Sequence, residues 1–311
     1  MDSIKKRIKG QLPLWVCDAY ETVKLVPRFL WAEILEWKIG MQRVSFYADQ
    51  ETVDRIVKNG MSLSRFGDGE FRWMLEITDQ SFQKCSVQLA QALIEAFQSK
   101  NPQLLVGIPL GLFDSTGCKL YVKIWWKIIK WDTFARLTQY IDYSKKYSNA
   151  SITRPYIDYI DRDYSRQCFE NIRRIWDGRY CIFVEGEQTK LGLGNDLFDN
   201  AKRIERILCP SENAFEKLEE IKDAIRTYAR KDTLLLGALG PTASVLAAQM
   251  CAEGYQFVDI GHVDIEYTWY LSKAKRREPV AGKYVNECGR QVLPGDFEND
   301  EYKNSILTVV R

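Results

Sequence analysis

Leu234-Leu235-Leu236-Gly237-Ala238-Leu239-Gly240-Pro241-Thr242-Ala243 reads as a buried strand, a glycine turn and the start of a helix running to Glu253. The apolar run is short enough for a strand, and Pro241 suits a first helical position, where its missing N–H would have no partner anyway. The same pattern repeats outward. Upstream, a helix over 51–59 closes at Gly60, followed by a strand over 62–66, a helix over 86–98 and a strand over 104–108. Residues 119–140 read as one long helix, and 141–165 as a polar, tyrosine-rich loop long enough to be functional. Then come a helix over 165–176, a strand over 179–184, a glycine-rich loop, a helix around 196–201 and a strand over 203–208. Cys209-Pro210-Ser211 opens a helix through Tyr228, and Tyr255-Gln256-Phe257-Val258 is a further strand. This alternation predicts an α/β, Rossmann-like fold: a mostly parallel, twisted sheet with helices on both faces.

With 311 residues, 46% of them hydrophobic, the chain can build one large core. Neither a linker nor a repeat divides it. A net charge of +2 gives no general affinity for polyanions, and no nucleic-acid module is recognisable. The eight cysteines are scattered without a C-x-x-C pair, which reads as reduced, buried thiols in a cytoplasmic protein; a zinc site lacks both spacing and histidines.

In an open parallel sheet, ligands bind at the carboxyl ends of the strands. After the strand over 62–66 stands Arg65-Phe66-Gly67-Asp68-Gly69-Glu70, two carboxylates either side of a glycine in a tight turn. Asp68 and Glu70 are hard oxygen ligands, and Gly67 lets backbone approach whatever is bound. A second such pair, Asp264-Ile265-Glu266, follows the only histidine, His262, and is a rival on spacing alone. Neighbouring Asp259, Asp264 and Glu266 are expected to raise the pKa of His262. Arg65 and Arg154 can clamp phosphate or form internal ion pairs. The turn holding Gly240 and Thr242 offers N–H groups to a phosphate but is no Walker sequence. Gly192 and Gly194 fail as a dinucleotide fingerprint; they either shape a nucleotide pocket beside Asn195 or serve tight packing.

Taken in order, these motifs with Ile152-Thr153-Arg154-Pro155-Tyr156, Val184-Glu185-Gly186-Glu187, Leu191-Gly192-Leu193-Gly194-Asn195-Asp196, Arg206-Ile207-Leu208-Cys209-Pro210 and Asn213-Ala214-Phe215 resemble the bacterial glycosyltransferases of the GT-D fold. Those enzymes elongate glycans on surface adhesins or build cell-surface polysaccharides. The resemblance spans roughly residues 50 to 290, leaving a helical extension (1–50) and a tail (291–311) outside the domain (51–290). It implies a nucleotide-diphosphate sugar donor, UDP-linked, and a hydroxyl acceptor on a growing or lipid-linked glycan. It also assigns Asp68 and Glu70 to a metal, for which the all-oxygen set suits Mn²⁺ or Mg²⁺. The general base stays open among His262, Asp264, Glu266, Glu187 and Glu185. A non-catalytic nucleotide- or glycan-binding subunit and a sugar-nucleotide hydrolase are the alternatives.

Three further features have two readings each. Lys5, Lys6, Arg7 and Lys9 precede a helical pattern with Phe29, Leu30, Trp31, Ile34, Leu35 and Trp37. This is either a helix packed on the body or on a second subunit as a dimer contact, or an interfacial helix at the inner face of the cell membrane, against which Glu33 and Glu36 count. Trp125, Trp126 and Trp131 either pack against a neighbouring helix or stack on sugar rings. Lys273, Lys275, Arg276 and Arg277 form a solvated helix end or meet an anionic acceptor.

Overall fold

The computed structural model describes residues 14–77, 82–288, 292–295 and 299–311. The cluster of Lys5, Lys6, Arg7 and Lys9 lies outside them. Along the chain run α1 (Leu14–Lys38), β1 (Ser45–Phe46), α2 (Asp49–Asn59), β2 (Ser62–Arg65), α3 (Asp68–Met74), α4 (Val87–Phe97) and β3 (Leu104–Ile108). They continue with α5 (Leu120–Asp132), β4 (Lys146–Asn149), α6 (Arg162–Arg173), β5 (Tyr180–Gly186), β6 (Arg203–Cys209) and α7 (Leu218–Tyr228). The chain ends with β7 (Leu234–Ala238), α8 (Pro241–Ala252), β8 (Gln256–Asp259), α9 (Val263–Leu271), α10 (Asp300–Ser305) and β9 (Ile306–Val309).

The described strands form one sheet in the order β1-β4-β3-β2-β8-β7-β5-β6-β9. Every strand pair in it is parallel. Because successive side chains of a strand point to opposite faces, the apolar runs feed two cores. Cys181 and Phe183 of β5, Leu236 of β7 and Val258 of β8 enter one, with Val53 and Ile56 of α2 and Trp269 of α9. Their neighbours Ile182, Leu235 and Phe257 enter the other, with Ile221 of α7 and Leu246 of α8. Helices therefore cover both faces, as expected. Adjacent strands β2 and β8 send the chain to opposite edges, towards β3 and towards β9. Such a reversal opens a crevice above the carboxyl ends of the two strands.

Five local expectations are corrected. Residues 196–201 are turns, tied by Trp176 Nε1 to the Leu197 carbonyl, instead of a helix. The helix expected over 119–140 stops at Asp132, and 134–140 continue as a 3-10 helix. The expected loop 141–165 contains β4, held between β3 and β1. Asp68 and Glu70 do not sit in a free turn but begin α3, much as Asp264 and Glu266 begin α9. Within the expected tail, β9 pairs with β6. Each miss is a short or polar element whose order comes from a neighbour in space.

Candidate active site

A cleft of about 530 Å³ lies over the carboxyl edge, reached by the ends of β2, β3, β4, β5, β7 and β8. Its acidic side is built by the β2–α3 connection. Gly67 caps α3 in extended backbone, and its N–H donates to Glu70 Oε2 at 2.8 Å. Having no side chain, Gly67 returns no bond, so only half of a capping box is present. Asp68 keeps part of its surface on the cleft and, among the described residues, accepts no hydrogen bond. Burial raises its pKa above the ordinary range despite nearby Arg154 and Arg72. Burial also pushes Glu70 up to about 7, opposed by the Gly67 and Glu70 backbone N–H groups; Asp259 adds to the rise and Arg65 opposes it. Carboxyls so desolvated favour their neutral forms unless positive charge is brought beside them.

A basic wall faces the same cleft. Arg154 forks onto Glu287, with NH1 2.7 Å from Oε1 and NH2 3.0 Å from Oε2. Arg277 reaches Glu287 Oε2 at 3.2 Å and Asp158 Oδ1 at 3.1 Å. Burial would raise Glu287, but Arg154, His262 and Arg277 hold it well below the usual carboxylate range. His262 Nε2 lies 2.9 Å from Asn286 Oδ1; an amide oxygen accepts, so Nε2 carries the proton and Nδ1 is the basic atom. Contrary to expectation, the pKa of His262 is lowered. Burial is the chief cause; Glu287 is the main influence against it, and Arg154 and Arg65 add to the lowering.

The carboxylates expected to act on His262 are spent elsewhere. Asp259 Oδ1 accepts from Arg65 NH2 at 2.7 Å and from Gly261 N at 3.0 Å. Asp264 Oδ1 accepts from Gly192 N and Asn195 Nδ2, and its Oδ2 from Lys283 Nζ at 2.6 Å. Glu266 is fully buried, accepting from Tyr156 N and Ile157 N, with Arg154 Nε 3.6 Å away. Burial pushes it up to about 7 against the pull of Arg154. The second acidic pair is thus engaged in hydrogen bonds and ion pairs within the fold. Glu185 is equally spent, paired with Arg206 and accepting from Leu191 N.

Of the residues singled out from sequence, Arg65, Gly67, Asp68, Glu70, Arg154, Gly240, His262 and Asp264 line the cleft. Arg65 does so with its guanidinium committed to Asp259 and the Ala150 carbonyl, which makes it a brace between β2, β4 and β8. Gly240 has φ +54°, and the space a Cβ would take is filled by the Phe82 ring. Glu187 points to solvent, and neither it nor Glu266, Gly192, Gly194, Asn195 or Thr242 lines the cleft. Gly192 and Asn195 hold Asp264 in place, and Thr242 is buried. Trp125 and Trp126 line the cleft, whereas Trp131 is buried and donates to Glu36. Sequence reasoning missed Asp158, Asn286 and Glu287. The polar loop over 141–165 was a signal for Asp158; nothing comparable marked the other two.

A cleft of this kind, over the carboxyl edge of a parallel sheet, is where open α/β proteins bind their ligands. A family model described as the glycosyltransferase GT-D fold matches residues 63–288, and the chain belongs to that family. Glycosyltransferase GlyD of Streptococcus pneumoniae is 34% identical over 265 residues, which cover 83% of this chain and 31% of GlyD. A probable glycosyl transferase, Gly, of Streptococcus gordonii is 34% identical over 251 residues, 79% of this chain and 36% of that protein. The chain thus spans about a third of the length of these curated relatives. A solved structure described as a new glycosyltransferase (DUF1792) from Streptococcus sanguinis superposes with a TM-score of 0.78 at 30% identity, covering 86% of this chain and 100% of that one. A further solved domain, described as having a distinct glycosyltransferase fold, gives 0.78 at 31% identity over 91% of this chain and 99% of that one.

Proposed function

We propose that the chain transfers a sugar from a nucleotide-diphosphate donor, UDP-linked as the family resemblance implies, to a hydroxyl of a cell-surface glycan, assisted by Mn²⁺ or Mg²⁺. The observation that carries this reading is Asp68: a desolvated carboxylate on the cleft without a hydrogen-bond partner among the described residues, beside Glu70 and within electrostatic reach of Arg154 and Arg277. Among the described residues no cluster of three or more His, Cys, Asp or Glu is placed to hold an ion. Two carboxylates fit a cation that shares its remaining positions with diphosphate and water, as donor-borne Mg²⁺ or Mn²⁺ does. When bound, the ion would neutralise charge developing on the leaving diphosphate.

In this reaction the acceptor oxygen bonds to the anomeric carbon, and the diphosphate leaves with the electrons of the broken C–O bond. Arg154 and Arg277, held in place by Glu287, supply fixed positive charge for that anion. Of the five candidate bases, only His262 keeps a basic atom, Nδ1, on the cleft that no described residue engages, so we assign it the acceptor proton. Trp125 and Trp126 offer aromatic faces to the acceptor sugars.

Turnover of UDP-hexoses with glycan acceptors tests the proposal. Acceptor-dependent, metal-dependent release of UDP that is lost in Asp68→Asn supports it. Equal release of free sugar without acceptor identifies a hydrolase, and nucleotide binding without turnover across donors and acceptors identifies a binding subunit.

A further inference from the structure

Helix α1 carries an apolar stripe that the described protein leaves uncovered. Val23, Val26, Leu30, Ile34 and Trp37 recur at spacings of three and four, and Leu30 and Trp37 are 56% and 84% exposed. Trp31 flanks the stripe at 57% exposure. The other side of the helix rests on α5, where Ala32 is buried. There Lys127 pairs with Glu33 at 3.1 Å, and Lys130 and Trp131 bind the Glu36 carboxylate at 2.9 and 2.8 Å. The two acids that counted against an interfacial helix are therefore neutralised by α5. Between residues 22 and 38 the chain has no other acid; Lys24 and Lys38 are exposed, and Arg28 pairs with Asp132 at the end of α5.

We propose that α1 seats the protein on an anionic lipid surface. The stripe enters the acyl boundary, Trp31 and Trp37 lie at headgroup depth, and the lysines meet lipid phosphates. No described helix is long and apolar enough to cross a membrane, so the contact is peripheral. Charge selects lipid over a second copy of the chain. A two-fold contact sets the same patch against itself and would oppose cation to cation, whereas an anionic bilayer neutralises them. The sequence before the helix adds Lys5, Lys6, Arg7 and Lys9, further cations of the sign such a surface attracts. Leu25, on the side of the same helix that faces the body, lines the cleft, so the seated helix adjoins the cleft. That a lipid-linked acceptor profits from this rests on the glycosyltransferase reading; the membrane contact does not.

The test is co-sedimentation of the full chain with phosphatidylglycerol-containing vesicles and with pure phosphatidylcholine vesicles, in low and high salt. It needs no donor or acceptor, so its outcome is independent of the catalytic assignment. Wild type should partition onto the anionic vesicles, less at high salt, and Leu30→Gln/Trp37→Gln should weaken partitioning about tenfold or more with unchanged circular dichroism. Absence of binding at low salt, binding indifferent to lipid charge, or an equally bound double variant would overturn the proposal. So would a dimer in light scattering that the same substitutions dissolve, which would give the stripe to a second copy.

Discussion

Lys283 places its ammonium 2.6 Å from Asp264 Oδ2, with both side chains only 1% exposed. The pair fastens the segment after α9 to the start of that helix, and the same carboxylate gathers Gly192 and Asn195. Lys283→Met leaves Asp264 buried without its cation, which costs about 3–5 kcal/mol. At this chain length that lowers Tm by roughly 10 °C. Scanning calorimetry of the variant checks it, and a Tm within about 2 °C of wild type would show that the pair contributes little.

Asp68 and Glu70 should separate function from folding. Asp68 accepts no hydrogen bond among the described residues, so Asp68→Asn leaves Tm within about 2 °C of wild type while lowering metal-dependent turnover by at least ~100-fold. Glu70→Gln additionally weakens the bond from Gly67 N, at about 1 kcal/mol. A normal rate in Asp68→Asn would remove the metal assignment.

His262 predicts a pH dependence. Its folded pKa lies below the ordinary value of 6.5. Above 6.5 both folded and unfolded forms are neutral, and the contact with Asn286 contributes fully. As pH falls below 6.5 the unfolded chain takes up a proton that the folded one does not, so this contribution shrinks. The stability advantage of wild type over His262→Gln should therefore narrow between neutral and mildly acidic pH in urea titrations. A constant or widening advantage would contradict a depressed pKa.

Gly261 and Gly60 both have left-handed backbone, with φ +47° and +64°, but only Gly261 is crowded. A Cβ there would collide with the Arg65 guanidinium, whereas nothing lies within 4 Å at Gly60. Gly261→Ala should displace Arg65 from Asp259 and cost at least ~2 kcal/mol, against about 1 kcal/mol for Gly60→Ala. Equal Tm losses in the two variants would mean that Arg65 can move aside freely.

The sheet and its helices were legible because long apolar runs such as Leu234–Leu236 and Cys181–Val184 state their burial directly. Ser45–Phe46 and Lys146–Asn149 were not, since strands this short or polar are ordered by pairing. The site divides in the same way. Asp68 and Glu70, which line the cleft, stood out in the sequence because glycines surround acids at a strand end. Asp264-Ile265-Glu266 showed the same spacing, but Lys283, Arg154 and the backbone of Tyr156 and Ile157 had already claimed its charge, which only tertiary contacts reveal. Glu287 stayed hidden because its role exists only through Arg154 and Arg277, which the chain brings from distant positions.

Calorimetric titration of UDP into the protein, with and without Mn²⁺, on wild type and on Asp68→Asn/Glu70→Gln, tests the central claim most directly. The account predicts binding that Mn²⁺ strengthens about tenfold or more in wild type and leaves unchanged in the double variant. Equal Mn²⁺ enhancement in the double variant would contradict it and move the cation elsewhere in the cleft.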